Sequence, residues 1–253
     1  MTVRLTERDV RLLAKCRVAR WLTTTQVQKS FFSKATPDAV RKRLRKLTEA
    51  GYLRSYQPNQ MTEAFHAVGP KGKPVLEGKG FEVDLEKAPP KQIEHFIGIN
   101  DIRVAVECGG LRVVYFFAAW ELGRFGWLYQ VIPDAVFAIG NERRSTFVVE
   151  YDRGTETLEQ FSKKIRAYER GLEGFPFDAV LIVAETEGRL ESLCRYVRKR
   201  AFSERTFLAT PIAKVREAGM FSRVFVDVSG DIGGVRNVSL RDFGDLPEGP
   251  GSE

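Results

Sequence analysis

The segment PDAVFAIGNERRSTFVVEYD, residues 133–152, constrains the fold of this chain more than any other. Two apolar runs flank a polar turn, which predicts a β-hairpin. If the turn is centred on Glu142, Asp134 lies directly opposite Glu150, and Asp152 lies on the same face of the strand as Glu150. Like charges that face each other across a sheet destabilise it, unless a cation lies between them or water solvates them. The segment therefore predicts a metal site with Asp134, Glu150 and Asp152 as ligands.

The charge of the chain is unevenly distributed. Residues 1–90 contain 18 Lys and Arg against 9 Asp and Glu, whereas the remaining residues contain 22 against 24. An excess of this kind indicates a polyanionic partner for the N-terminal third, with nucleic acid first and an anionic membrane surface second. No long basic amphipathic helix supports the membrane option. No apolar run approaches the roughly 20 residues of a membrane span, and we expect a cytoplasmic protein without a membrane partner.

Three short helices are predicted in the N-terminal third. The first follows Thr6, and the second is capped by one of the threonines at 23–25. Thr36 is the predicted cap of the third, because Pro37 occupies the favoured first helical position and Gly51 is the expected stop. The next residues, YLRSYQPNQMTEAFHAV, alternate apolar and polar groups around a PNQ turn, which is typical of a two-stranded hairpin.

Three helices followed by a hairpin resemble a winged helix-turn-helix domain over roughly residues 4–80. In that family the third helix enters the DNA major groove and the wing touches the backbone. The alternative is a solvated basic face on a winged helix that binds protein. The residues that the resemblance assigns to contacts with double-stranded DNA are Thr36, Arg41, Lys42, Arg45 and Lys46 of the third helix and Arg54 of the wing. We predict this domain over 1–80 and a linker over 81–90.

A second domain is predicted over residues 91–243, before a disordered tail at 244–253. Its pattern is a helix, three apolar strands, a helix that Thr155 caps, and the buried strand DAVLIVAE. An α/β layer with a mixed sheet follows from this order. The order αβββαβ, with Asp134 on the second strand and Glu150-x-Asp152 on the third, resembles the PD-(D/E)xK nuclease superfamily.

That resemblance implies Mg²⁺ or Mn²⁺ on the acids and a Lys two residues after the second acid, where this chain has Asp152. Some members carry the Lys on the following helix. At about 100° per residue, Lys164 faces the sheet beside the apolar stripe of that helix, and Lys163 faces water. Lys164 then shares one polar row with Gln160 and Tyr168, and it joins the three acids as a predicted catalytic residue. Other cations that could supply the charge instead are Arg144 and Arg153.

The winged-helix pattern, together with HFIGINDIR, PDA, EYDRGTE and KKIRAY, resembles the replication-relaxation family over roughly residues 4–183. Members are encoded mostly on plasmids and other mobile elements. The resemblance implies a DNA-binding protein of mobile-element replication or transfer. Further partners that we consider are a relaxase or replication protein and a second copy of the chain.

Two functional hypotheses follow. In the first, the winged helix delivers a Mg²⁺-dependent nuclease to DNA. In the second, the nuclease fold is an inactive scaffold, and the chain is a non-enzymatic DNA-binding factor or a transcriptional regulator. Nicking of supercoiled plasmid that depends on Asp134 separates the two.

Overall fold

The computed structural model describes residues 3–127, 129, 131–141, 144–172, 174–200, 206–228 and 237–243. The chain divides into two compact units, which we call unit 1 (1–100) and unit 2 (101–253). Within the described residues, the helices are too short or too polar to cross a lipid bilayer. The tail predicted over 244–253 lies outside the described residues.

The described part of unit 1 contains three N-terminal helices and a small sheet, and these three helices begin where the sequence predicts. Thr6, Thr23 and Thr36 are N-caps whose hydroxyl oxygens accept hydrogen bonds from backbone N–H groups. Gly51 follows the third helix with a φ of 83°, which only glycine adopts without strain. The elements are α1 (Glu7–Ala19), β1 (Leu22–Thr23), α2 (Thr24–Phe31), α3 (Pro37–Glu49), β2 (Leu53–Tyr56), β3 (Phe65–Val68), α4 (Gly72–Glu77) and the start of α5 (Ile93–Glu107).

The core of unit 1 lies between these helices and the sheet, whose strand order is β1-β3-β2. Leu12, Leu44 and Leu47 are buried in one cluster with Leu53 of the hairpin. Residues 81–90 contain neither helix nor strand. Their Val83 belongs to the same buried cluster, so this segment packs on unit 1.

The described strands of unit 2 form one seven-stranded sheet. The sheet order is β10-β9-β8-β7-β6-β5-β4. Strands β6, β7 and β8 are parallel and the other pairs are antiparallel, which confirms the predicted mixed α/β class. The elements are β4 (Val113–Ala118), α6 (Ala119–Leu122), β5 (Ala135–Gly140), β6 (Arg144–Asp152), α7 (Leu158–Arg170), β7 (Ala179–Ala184), α8 (Glu187–Arg200), β8 (Thr206–Pro211), α9 (Ile212–Ala218), β9 (Phe225–Asp227) and β10 (Asn237–Val238).

The two faces of the large sheet have different cores. Phe161 and Ile165 of α7 and Leu193 of α8 pack on one face, over buried residues such as Val148 and Val180. The other face carries a row of stacked rings, with centroids 5.9 Å apart between Phe116 and Phe137 and 5.1 Å apart between Phe137 and Phe147. Glu150 and Asp152, which alternate in phase with Val148, therefore point to the face that α7 and α8 cover.

Two local predictions need correction. Helix α7 is capped by Thr157 and not by Thr155, because Thr157 and Gln160 form a reciprocal capping box. Three residues after Thr155 the chain has Leu158, which cannot complete such a box. The short helix α6 between β4 and β5 was not predicted. Its four residues are too few to show helical periodicity.

Candidate active site and nucleic-acid interface

The hairpin of β5 and β6 brings Asp134 and Glu150 side by side. Ala135 pairs with Val149, which is the register predicted from a turn at Glu142. Asp134 precedes β5 by one residue, and its backbone N–H donates to the Val149 carbonyl at 3.0 Å. Its carboxylate accepts from the backbone N–H of Tyr151 at 2.7 Å. The aspartate is thus fixed beside β6 by backbone contacts, while its side chain stays partly exposed.

Glu150 is almost completely buried, with 2% of its surface exposed. The ammonium of Lys164 donates to its Oε2 at 2.8 Å, and the hydroxyl of Tyr168 donates to its Oε1. Both donors are on α7, four residues apart, so they lie on one face of that helix. Glu156, just before α7, approaches Lys164 to 3.3 Å. The predicted orientation of Lys164 toward the sheet is confirmed.

The charge balance of this cluster is unfavourable for the carboxylate of Glu150. Burial first, and then the negative charge of Asp134, raise the pKa of Glu150 to about 8, against the opposing effects of Lys164 and Tyr168. Burial alone would lower the pKa of Lys164, but Glu150, Asp134 and Glu156 raise it above its ordinary value. The site therefore combines a carboxyl group of raised pKa, Glu150, with an ammonium group, Lys164, that stays protonated at neutral pH.

Asp152 has a different environment, although it lies on the same face of β6 as Glu150. The guanidinium of Arg189, in the first turn of α8, donates to both of its oxygens, at 2.8 Å and 2.7 Å. The backbone N–H of Gly154 donates to Oδ1 at 2.5 Å. Arg189 also donates to the Glu156 carbonyl at 2.6 Å. Asp152 and Arg189 thus fix the loop between β6 and α7.

The structure brings three of the four predicted catalytic residues into one cluster, namely Asp134, Glu150 and Lys164. Among the described residues, no group of three or more His, Cys, Asp or Glu side chains is placed to hold a metal ion. Two carboxylates still suit Mg²⁺, which commonly takes one or two protein carboxylates and completes its shell with water and phosphate oxygens. A cation beside Glu150 would also relieve the repulsion from Asp134. The donor set fits an ion held by Asp134 and Glu150, with Asp152 paired elsewhere.

The sequence interpretation missed Arg189 and misplaced Gln160. Gln160 is exposed, and its side chain accepts from the backbone N–H of Thr157 at 2.9 Å instead of joining Lys164 and Tyr168. A signal for Arg189 existed in the chain order. The crossover from β6 through α7 to β7 predicts parallel strands, so the helix that follows β7 starts at the sheet edge where Asp152 ends β6.

In unit 1, the predicted DNA-binding residues of α3 divide into exposed and structural groups. Arg41, Lys42, Arg45 and Lys46 are exposed. Lys42 pairs with Asp38 at 2.9 Å, and Arg45 approaches Glu49 to 3.8 Å, each one turn along the helix. The hydroxyl of Thr36 accepts from the Ala39 N–H at 3.3 Å, so its first role is to cap the helix.

Arg43 of α3 and Arg54 of β2 have mainly structural contacts. Arg43 donates to both carboxylate oxygens of Asp9, which is completely buried. Arg54 of β2, which was predicted to contact DNA from the wing, is partly buried and donates to the Glu86 carbonyl at 2.9 Å.

A groove of about 690 Å³ lies between α3 and the hairpin of β2 and β3. Arg41, Lys42 and Arg45 line its helical side, and Ser55, Gln57 and Thr62 line its hairpin side. The exposed cations of α3 therefore border a concave surface of mixed character, whose lining also includes the acids Asp38, Glu49 and Glu63. Such a surface offers both charge for phosphates and hydrogen-bonding groups for base edges.

The model of the replication-relaxation family matches residues 11–176, which is more than half of the chain. No curated protein and no solved structure gives a significant match.

Proposed function

Because the chain belongs to the replication-relaxation family, we propose that it is a DNA-binding protein that acts in the replication or transfer of plasmids and other mobile elements. The observation that carries the proposal is the exposed cationic face of α3 beside the groove of unit 1. Unit 2 carries the second part of the proposal, a nuclease-like site.

The case for DNA rests on charge and on element order. Residues 1–90 hold twice as many cations as acids, and α3 presents four of those cations to solvent. Three helices followed by an antiparallel hairpin are the element order of winged helices, whose third helix enters the major groove. Exposed Lys and Arg contact phosphates and supply affinity for any sequence, so the proposal names duplex DNA without a target site.

Charge reversal on α3 tests DNA binding. In the variant Arg41→Glu/Arg45→Glu we expect weaker binding to a duplex and a flatter dependence of affinity on salt. The logarithmic slope should decrease by roughly 0.9 for each phosphate that the variant no longer neutralises. Fluorescence anisotropy over a salt series measures both.

A matched control is Lys79→Glu/Lys87→Glu, since both lysines are exposed in unit 1, do not line the groove, and give the same change in charge. The control should retain most of the affinity. Unchanged affinity and slope in the α3 variant would show that α3 does not contact the DNA.

For unit 2 we propose a divalent-metal-dependent phosphodiesterase site. Asp134 and Glu150 would hold Mg²⁺ or Mn²⁺, which supplies activation of water and neutralisation of phosphate charge when bound. Lys164 is 2.8 Å from Glu150 and remains protonated, so its ammonium can donate to a phosphate oxygen that carries developing charge. Tyr168 holds Glu150 in position through its hydroxyl. Asp152 and Arg189 shape the adjoining loop.

Incubation of the full chain with supercoiled plasmid and Mg²⁺ or Mn²⁺ tests this site. We expect nicked product, and we expect Asp134→Ala and Lys164→Ala to abolish it. Lys163→Ala is the control, because Lys163 is the neighbouring lysine with 68% of its side chain exposed. Absence of nicking, or nicking that survives Asp134→Ala, would leave the alternative, a non-enzymatic DNA-binding scaffold or regulator.

A further inference from the structure

A second groove, in unit 2, lies between α8 and β9. Helices α7 and α8 pack over the middle of the sheet, on β6, β7 and β8. Val226 of β9 lies on the same face, beyond the flank of α8. The groove between them has a volume of about 480 Å³, within the roughly 300–1,000 Å³ of small-ligand sites. Its lining residues are Leu190, Glu191, Cys194, Arg195, Arg198, Lys199 and Val226.

The rim of this groove is cationic. Arg195, Arg198 and Lys199 are exposed, and the last two follow Arg195 by three and four residues, so they lie on one flank of α8. Among the described lining residues, Glu191 alone is acidic. Residues 91–253 as a whole hold 22 cations against 24 acids. The positive charge at the end of α8 is therefore a local concentration, in a part of the chain with no overall excess.

The floor of the groove is apolar. Leu190 and Val226 are partly buried, and Cys194 has 8% of its surface exposed. Burial raises the pKa of the Cys194 thiol, so the floor carries no charge at neutral pH. A cationic rim above an apolar floor suits a ligand with a negative group and a flat, weakly polar body. A nucleotide has both parts.

We propose that this groove binds a segment of single-stranded DNA, with phosphates at Arg195, Arg198 and Lys199 and an unpaired base on the floor. A duplex presents phosphates to such a rim, but its bases are stacked inside and cannot reach Leu190 or Val226. Proteins that bind single strands also place a positive groove beside a surface for bases; that surface is usually aromatic, whereas Leu190 and Val226 offer an aliphatic contact here. The inference deepens the proposed function, since it rests on DNA as the partner, but it concerns a different surface from α3.

Binding of a labelled oligo-dT to the full chain, measured by fluorescence anisotropy over a salt series, tests the proposal. The variant Arg195→Glu/Arg198→Glu should bind at least about tenfold more weakly, with a logarithmic salt slope flatter by roughly 1.4, or 0.7 for each phosphate that is no longer neutralised. The control Lys163→Glu/Arg166→Glu changes the net charge by the same amount, on exposed residues of α7, and should bind oligo-dT as the wild type does. Equal weakening in both variants would mean non-specific attraction and would overturn the proposal.

Binding of an abasic oligonucleotide of the same length distinguishes the contribution of the floor to affinity from that of the rim. The wild type should bind it more weakly than oligo-dT, whereas the α8 variant should bind both alike. Equal binding by the wild type would overturn the role of the floor. If charge reversal impairs folding, as circular dichroism would show, Arg195→Gln/Arg198→Gln provides the same comparison with less perturbation.

These experiments test the two proposed DNA-binding surfaces, α3 and the α8 groove, independently of each other. Arg41→Glu/Arg45→Glu should weaken duplex binding and leave the contribution of α8 to oligo-dT binding in place. If the α3 variant loses duplex binding but the α8 variant binds oligo-dT as the wild type does, only the proposal for the α8 groove is refuted. If the α8 variant loses oligo-dT binding but the α3 variant binds duplex as the wild type does, only the proposal for α3 is refuted.

Discussion

Glu150 and Asp152 are two acids on one face of one strand, yet they meet different cations. Lys164 and Tyr168 of α7 contact Glu150, whereas Arg189 of α8 contacts both oxygens of Asp152. An ammonium leaves carboxylate lone pairs open to another ligand, while a two-point guanidinium pair uses the carboxylate edge. This difference makes Glu150 the better candidate for chemistry and Asp152 a structural residue.

The pair of Asp152 and Arg189 gives a prediction about stability. Arg189→Ala leaves a carboxylate with 2% side-chain exposure without its cation, and we expect the free energy of unfolding to fall by about 3 kcal/mol. The double variant Asp152→Ala/Arg189→Ala should be less destabilised than the sum of the single variants. Urea unfolding of the four proteins measures this coupling.

The metal affinity of Asp152→Ala is a separate check on the same pair. Calorimetry with Mn²⁺ should give an affinity close to that of the wild type if Asp152 is not a ligand. A loss of Mn²⁺ affinity in Asp152→Ala as large as that in Asp134→Ala would show that Asp152 is a metal ligand after all.

Residue roles could be predicted from the sequence where local geometry decides them. The orientation of Lys164 follows from helical periodicity, and the proximity of Asp134 and Glu150 follows from the hairpin register. The partner of Asp152 could not be predicted in this way, because Arg189 is 37 residues away and reaches it through strand order. The proximity of Asp134 and Glu150 was therefore easier to predict than the arginine that pairs with Asp152.

At the scale of elements, α3 carries arginines of two kinds on two faces. Arg43 holds α3 to α1 through the buried carboxylate of Asp9. That carboxylate also belongs to the capping box of α1, where it accepts from the backbone N–H of Thr6 at 2.7 Å. Arg41 and Arg45 face the groove instead. Composition alone shows five cations in this helix and does not separate these roles.

The two kinds of arginine predict opposite mutational effects. Arg43→Ala should lower the free energy of unfolding by about 3 kcal/mol, because it leaves the buried carboxylate of Asp9 without its cation. Arg41→Ala should change it by no more than about 0.5 kcal/mol, since the side chain is exposed.

DNA affinity should follow the reverse order in folded protein, with the weaker binding in Arg41→Ala. Urea unfolding and duplex binding of the same two variants test the distinction. Equal effects in both assays would contradict it.

At the scale of the molecule, the sequence predicted the mixed α/β class and the family but not the complete sheet. Caps and periodicity are local signals, and they located the helices of unit 1 and the hairpin of unit 2. The order of the seven strands depends on pairings between distant segments, such as β8 with β9, which local patterns do not specify. Short elements such as α6 and β10 carry too few residues to show a period.

The two units also contain buried groups with opposite responses to pH. Burial lowers the pKa of His66 in unit 1 to about 4, below its ordinary 6.5, so the unfolded chain binds more protons between these values. Stability from His66 is therefore present above pH 6.5 and is lost as the pH falls toward 4. Glu150 in unit 2 has a pKa raised from 4.5 to about 8, so the folded state holds the extra proton. Its contribution favours folding below pH 4.5 and is lost as the pH rises toward 8.

Hydrogen exchange of the full chain at several pH values, corrected for intrinsic exchange and with a chelator present, should show these opposite trends. From pH 8 to pH 5, the protection of amides in α1 and α3 should fall, and that of amides in β6 and β7 should rise. His66→Gln should flatten the first trend only, and Glu150→Gln the second only, because each substitution removes one titrating group and keeps a hydrogen-bonding side chain of similar length. A trend in unit 2 that persists in Glu150→Gln would mean that another group titrates there, and the raised pKa assigned to this carboxyl would be wrong.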